Sequence, residues 1–300
     1  MRYITDLQKR PNDSDIRVAS SNVYFHYFSW TKGLTEDDKL AHAKLLADTL
    51  NDINADVLLL QEVSAMVLGS GNKDCQWHER LDPLLEAHGY TCTNPVIAPL
   101  PKSSADVGNP EGVNYTPIHY KADVLNLIDC GHKFYESVAT NPDGFLSSSK
   151  SYTWALFESK ATGNRFIAFS THLTWHGNAE TSNMLKTQDA NEATAMMDEL
   201  EVRYPGVPVV LMGDCNCTVG TDPYKALERK LVNAKTEAPK LVNENLSTIH
   251  GLGTAPGYGT IIDHVMVTPK GFDITQYQTF ANLNVINMSD HVPVGIDFKL

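Results

Sequence analysis

Asp56-Val57-Leu58-Leu59-Leu60-Gln61-Glu62 is a short, unbroken apolar run that closes on an amide and a carboxylate. A run this short with no alternating polar residue fits a strand buried on both faces, and Glu62 then stands where that strand leaves the core. Just before it, Thr35 to Ile53 sets Leu40, Ala43, Leu46, Leu50 and Ile53 on one helical face. Its acidic start, Glu36-Asp37-Asp38, suits the first turn, where the helix dipole favours negative charge. Ile16 to Val23 reads as an opening strand. Strand, helix and buried strand in succession indicate a sheet-rich α/β domain, α+β in some schemes.

The pattern recurs downstream. Arg165 to Ser170 and Val207 to Met212 are apolar runs that end at Thr171-His172 and at Gly213-Asp214-Cys215-Asn216. Between them, Ser182 to Val202 is expected to be helical, with Leu185, Ala193, Met196, Met197 and Leu200 as its apolar stripe. Late strands are expected at Ile261 to Val267, carrying Asp263, and at Val292 to Phe298, preceded by Ser289-Asp290-His291. Pro95 to Val113 collects Pro, Gly, Ser and Asn without periodicity and reads as a long surface loop bordering a cleft. No Pro/Gly/Ser-rich linker and no repeat divides the chain, so one domain over residues 1–300 is expected.

With 42% hydrophobic and 20% charged residues, a 300-residue chain can bury a sizeable core. The net charge of −12 and the lack of a Lys/Arg run disfavour a protein that grips a duplex over many phosphates. The cysteines Cys75, Cys92, Cys130, Cys215 and Cys217 are odd in number and form no CxxC framework, so they read as reduced thiols. The polar start, Met1 to Asp15, has no apolar leader core, and no stretch reaches the length of a membrane span. A cytoplasmic location is the default expectation, although a secreted chain that had lost its leader would look the same.

Taken singly, an Asp or Asn after a strand usually caps a helix or closes a turn. Taken together, Asn22, Glu62, His172, Asp214, Asn216, Asp263, Asp290 and His291 all fall at or beside the ends of expected strands, which are rigid platforms for a site. Carboxylate and amide oxygens suit Mg2+, or Mn2+ as the alternative, better than zinc. Glu62 is the best single metal-ligand candidate; a second carboxylate could position water, and an imidazole could hold a phosphoryl oxygen or move a proton.

In order, Ser21-Asn22, Leu60-Gln61-Glu62-Val63, Thr171-His172-Leu173, Gly213-Asp214-Cys215-Asn216, Ile262-Asp263-His264 and Ser289-Asp290-His291 run through nearly the whole chain. This ordered set resembles the endonuclease/exonuclease/phosphatase family, which spans pancreatic-type deoxyribonucleases, abasic-site endonucleases, deadenylases, inositol-polyphosphate phosphatases and neutral sphingomyelinases. Thr116-Pro117-Ile118-His119-Tyr120 and Asp222-Pro223-Tyr224 resemble a bacterial branch of it. The resemblance implies a four-layer sandwich, two mixed β-sheets packed face to face with helices outside and the site at one edge. It also implies a Mg2+- or Mn2+-dependent phosphoric ester hydrolase that uses in-line attack by water. By position, Glu62 resembles the principal metal ligand, with Asn22 and Asp290 assisting. Asp214 resembles the residue that positions water and Asn216 its partner. His172 resembles a histidine on the leaving-group side, His291 the essential phosphate histidine and Asp263 the carboxylate that orients it.

The chain departs from the pattern in places. Members of that branch often carry an Arg shortly before a Gln in the helix after the His-Leu motif; here Met184-Leu185-Lys186-Thr187 precede Gln188, leaving Lys186 as a substitute point charge. The Cys-Asp-Arg sequence of inositol phosphatases is absent at Ile261-Ile262-Asp263-His264, and His172 stands where abasic-site enzymes have Asp. His250, ahead of a Gly-rich loop, is a candidate substrate contact, as is Trp175 just beyond His172, whereas Trp30, Trp77 and Trp154 read as core and His176 as surface or cleft-lining. The leading expectation is a small phosphate mono- or diester as substrate. Behind it stand a nuclease on short or single-stranded nucleic acid and, from another class, a catalytically silent scaffold.

Overall fold

The computed structural model describes residues 7–24, 34–63, 77–93, 116–137 and 150–300. The expected loop from Pro95 to Val113, Cys75, Trp30 and the side chain of Trp77 lie outside them.

Two mixed sheets carry the fold. The seven-stranded sheet contains β1 (Ile16–Asn22), β2 (Val57–Gln61), β3 (Tyr90–Cys92), β4 (Ile118–Lys121), β10 (Leu241–Val242), β12 (Asp273–Thr279) and β13 (Val294–Lys299), in the order β10-β12-β13-β1-β2-β4-β3. The six-stranded sheet contains β5 (Leu125–Phe134), β6 (Ser151–Ser159), β7 (Arg165–His172), β8 (Val209–Asp214), β9 (Val232–Asn233) and β11 (Asp263–Val267), in the order β5-β6-β7-β8-β11-β9. Period-two alternation decides which side chains lie between the sheets: Ile16 and Val18 of β1, Val57 and Leu59 of β2, Phe166 and Ala168 of β7, and Val210 and Met212 of β8 all enter one central cluster.

The opposite faces are covered by helices. On the seven-stranded sheet, Leu58 and Leu60 meet α1 (Glu36–Ile53), α2 (Trp77–Ala87) and, near the chain's end, α6 (Leu283–Met288). On the six-stranded sheet, Ile167, Phe169 and Leu211 meet α3 (Ala179–Arg203) and α4 (Asp222–Glu228), while the one-turn α5 (Ala234–Glu237) follows β9. Helix, sheet, sheet and helix make the four layers of the expected sandwich. Buried Trp154 packs in the α3 layer as core.

Local sequence explains the helix ends. Thr35 and Asp38 form a capping box at the start of α1, and Asn54 ends it in the left-handed conformation. Asn178 caps α3 by accepting from the Thr181 N–H at 3.0 Å, so the helix begins three residues before the expected Ser182. The apolar face expected of α1 needs one correction: Leu40 is 49% exposed, and Lys39 and His42 take the buried positions of the first two turns instead. The stripe runs through 39, 42, 43, 46, 47, 50 and 53, which leaves position 40 a step to one side of it. Cys215 and Cys217 lie buried in the α3 layer, and burial pushes the Cys217 thiol up to about 11, which keeps it protonated and apolar in character. No disulfide links the described cysteines.

Burial of His42 has a consequence for acid stability. Burial in α1, only partly offset by a hydrogen bond to the Met288 backbone, lowers its imidazole to about 4 from an ordinary 6.5. The folded state therefore binds fewer protons than the unfolded chain between these values, and its stability is intact above pH 6.5 and falls as the pH drops through the window. His42→Gln should remove about 3 kcal/mol of this acid penalty by pH 4. On moving from pH 7.5 to pH 4.5 the urea midpoint of the wild type should fall relative to that of the variant, and a difference between the two independent of pH would reject the linkage.

Candidate active site

Strand register gathers the polar residues at one edge of the sandwich. β1 and β2 are parallel, with Asn22 opposite Gln61, so Asn22 and Glu62 emerge side by side. In the other sheet, His172 pairs with Asp214 across parallel β7 and β8, and Asp214 pairs with Asp263 across antiparallel β8 and β11. Three successive strands thus present His172, Asp214 and Asp263 in one row. β13 runs antiparallel to β1, so the Asp290-His291 segment that feeds it arrives at the same edge. Behind the row, the sheets are tied together: Ser20 Oγ donates to Gln61 Oε1 at 3.2 Å, and Gln61 Nε2 donates to Ser170 Oγ at 3.2 Å.

Asp214 is the hub. Its Oδ2 accepts from Asn22 Nδ2 at 3.2 Å and lies 3.2 Å from His172 Nε2 and 3.8 Å from His291 Nε2. Its Oδ1 accepts from the Asn216 N–H at 2.9 Å. Burial opposes ionisation of this carboxyl, but the charges of His172 and His291 outweigh it and hold the group well below the usual carboxylate range. His291 shows the complementary effect. Burial would neutralise the ring, yet Asp263, 2.8 Å from Nδ1, and Asp214 raise it to about 10.

Asn216 adopts a positive φ of 49° and gives its side-chain amide to Leu173 O at 2.9 Å, which fixes the turn after β8 against the end of β7. Lys186 Nζ donates to Asn216 O at 2.6 Å, so the substitute cation reaches the site's backbone. Asn22 splits its amide between Asp214 and the Tyr24 N–H, the latter 2.9 Å from Oδ1. Glu62 follows β2 at a positive φ of 60°, its carboxylate 4.0 Å from His172 Nε2 and 16% exposed.

Asp290 is half-buried, and its Oδ1 is shut away from solvent without a hydrogen-bond partner. Burial, opposed by His291 and reinforced by the Glu62 charge, pushes this carboxyl up to about 6. His250 joins the site through its backbone, which donates to Asp290 O at 2.8 Å, while its ring faces Gly251 O at 2.9 Å. Trp175 stands out from the surface, 57% exposed, and the half-buried His176 ring accepts from the Asn178 N–H at 3.0 Å at the start of α3.

Two residues that sequence reasoning missed complete the surroundings. Lys150 is buried with its Nζ against the His172 ring, 3.2 Å from Nδ1 and closer still to Nε2. Burial lowers its pKa against the pull of Glu62 and Asp214, and its charge in turn helps burial to lower His172. Asp189, inside α3, accepts from the Thr174 N–H at 2.7 Å and so anchors the backbone just past His172. No motif marks either one. Asp189 sits at an ordinary helical position, and Lys150 reaches the row only because β6 is antiparallel to β7.

The chain is similar in fold to several solved structures. A mannosyl-6-phosphatase from Bacteroides thetaiotaomicron VPI-5482 superposes with a TM-score of 0.66 at 18% identity, covering 95% of this chain and 100% of that one. An endonuclease/exonuclease/phosphatase from Bacteroides vulgatus gives 0.68 at 22% identity over 96% and 99%. The human Nocturnin catalytic domain, solved with a bound sulfate anion, gives 0.63 at 16% identity over 95% and 93%. No curated protein matches the sequence. The sequence profile of the Endonuclease/Exonuclease/phosphatase family matches residues 19–291, a span that takes in every residue of the row from Asn22 to His291, and the chain belongs to that family.

Proposed function

We propose that the protein hydrolyses a phosphate mono- or diester by direct attack of water, with a divalent cation, Mg2+ or Mn2+, as its cofactor. The observation that carries this reading is the single carboxylate oxygen, Asp214 Oδ2, lying within 3.2 Å of one imidazole and 3.8 Å of another. An anion held between two imidazoles can orient a water while the rings meet the oxygens of a phosphoryl group. Because His291 is raised to about 10, it is an imidazolium at neutral pH and acts as a phosphate clamp or proton donor, not as the base. Asp214, held anionic, takes the proton of the attacking water as the new O–P bond forms. His172, pressed between Lys150 and Asp214, faces the ester oxygen that departs as the old P–O bond breaks.

The donor set fits a hard cation. Asp290 has a buried carboxylate oxygen without a partner, and Glu62 stands at the neighbouring strand end, so the carboxylates of Glu62 and Asp290 would hold the ion, with Asn22 beside them. Such an ion neutralises charge on the phosphoryl oxygens. A small ester accords with the acidic chain and with relatives of similar fold, one named a mannosyl-6-phosphatase and another a 2',3'-cyclic phosphatase.

The test is hydrolysis of para-nitrophenyl phosphate, its bis-ester, a sugar phosphate and a short oligonucleotide, with and without EDTA. Turnover that EDTA abolishes and Mg2+ restores is expected, greater on a small ester than on the oligonucleotide. Glu62→Gln should raise the half-saturating Mg2+ concentration about 10- to 100-fold. No turnover of any substrate by folded, metal-loaded protein would favour a silent scaffold, and preference for the oligonucleotide would favour a nuclease.

A further inference from the structure

A second group of metal-ligating side chains lies away from this edge. β3 and β4 pair antiparallel with Cys92 directly opposite His119. On β4, Ile118 and Tyr120 point into the core between the sheets, so His119 between them points to the opposite, helix-covered face. Tyr90, two residues before Cys92, packs in the layer under the helices with Leu81 and Leu85 of α2, so Cys92 faces α2 as well. Asp82, next to Leu81, brings a carboxylate to the pair, with its Oδ1 3.0 Å from His119 Nε2. One ligand atom from each of Asp82, Cys92 and His119 lies within 4.8 Å of both others.

The arrangement does more than hold α2 to the sheet. His119 is 1% exposed, and with Nε2 committed to Asp82 its other ring nitrogen, Nδ1, is buried without a hydrogen-bond partner. The 3.0 Å between Asp82 Oδ1 and His119 Nε2 is close to the separation of two ligand atoms on one ion, so a cation there would take the place of the shared proton, with Nε2 as the ligand atom and Nδ1 keeping the ring proton. Asp82 and Cys92 are half-exposed, which leaves the group open to an ion and to a water as a fourth ligand. Metal–ligand bonds of about 2.0 to 2.3 Å require the three atoms to close by only about 1 Å, within the reach of side-chain rotation.

We propose that Asp82, Cys92 and His119 form a second cation site, distinct from the strand-end row, that takes a zinc-class divalent ion and pins α2 to the edge pair β3–β4. Ligand chemistry separates the two sites. Thiolate and imidazole select a borderline-soft ion, whereas the Glu62 and Asp290 oxygens select a hard one. The other described thiols do not compete: burial raises Cys130, Cys215 and Cys217 above the ordinary thiol range.

The test uses the full chain with excess Mg2+ and added Co2+ as a spectroscopic stand-in for Zn2+. One equivalent of Co2+ should bind with a thiolate-to-cobalt charge-transfer band, and Zn2+ should displace it. Cys92→Ser should abolish the band, Cys130→Ser should retain it, and Asp82→Asn should weaken Co2+ binding at least tenfold, while hydrolysis of the best ester stays within twofold of wild type. Circular dichroism checks that each variant folds, and should Cys92→Ser fail to do so, Asp82→Asn decides. Absence of the band in wild type, its persistence in Cys92→Ser, or unchanged affinity in Asp82→Asn would overturn the site.

Discussion

Asp214→Asn is expected to lower kcat about 1000-fold on the best-hydrolysed ester, about 4 kcal/mol of barrier, while leaving the protein folded. The substitution keeps the size of the side chain and one oxygen to accept from the Asn216 N–H, so the turn after β8 keeps its anchor. The charge is what goes. Asp214 supports protonation of both His172 and His291, so the variant loses the acceptor for the water proton and part of what keeps the clamp cationic. The pH profile separates this from simple misplacement: the alkaline limb governed by His291, raised to about 10 in the wild type, should move to lower pH in the variant. Turnover within tenfold of wild type, with an unmoved alkaline limb, would remove Asp214 from the chemistry.

How legible the site was depends on the range of the contact involved. Glu62, His172 and Asp214 mark the place where an apolar run stops, Asp263 and His291 the place where one starts, and a strand end is written in a few adjacent residues. Their assembly into one row depends on register, which pairs His172 with Asp214 and Asp214 with Asp263, and no single run encodes that. The ordered family motifs supplied that link, as they did the two-sheet sandwich, since alternation by itself shows buried strands without telling how many sheets hold them. Lys150, Asp189 and the Asp82, Cys92 and His119 group were not legible. Lys150 stands just ahead of β6 and the others belong to elements whose pattern is satisfied without them, and each acquires its partner only when a segment not adjacent in sequence is laid alongside. Leu40 erred in the same way. A one-residue rotation of the stripe satisfies the sequence nearly as well, and the packed layer under α1 decides between the two.

Gly213→Ala is expected to be the most destructive substitution for the fold, costing more than about 4 kcal/mol. Gly213 immediately precedes Asp214 at the end of β8 and pairs in parallel register with Thr171 of β7. A β-carbon there would lie 1.8 Å from Thr171 O, a backbone atom that cannot rotate away, and the glycine's φ of +153° is one that L side chains rarely adopt. Relief requires β7 and β8 to part where both are central strands of the six-stranded sheet, which would break ladder hydrogen bonds in a water-free layer. A native stability of about 5 to 15 kcal/mol leaves little room for that loss, so the variant should melt far below wild type or accumulate unfolded. Gly177→Ala is the control. Apart from its chain neighbours no residue comes within 4 Å of its added β-carbon, and its midpoint should change by less than about 0.5 kcal/mol in equivalent stability. Any Gly213→Ala protein that survives should also be nearly inactive. Parting the strands shifts Asp214 against His172, and a displacement of about 1 Å in such a pair costs about 100-fold in rate. A variant that melts with the wild type and turns over at its rate would mean that β7 and β8 do not approach one another as closely as Thr171 and Gly213 do here.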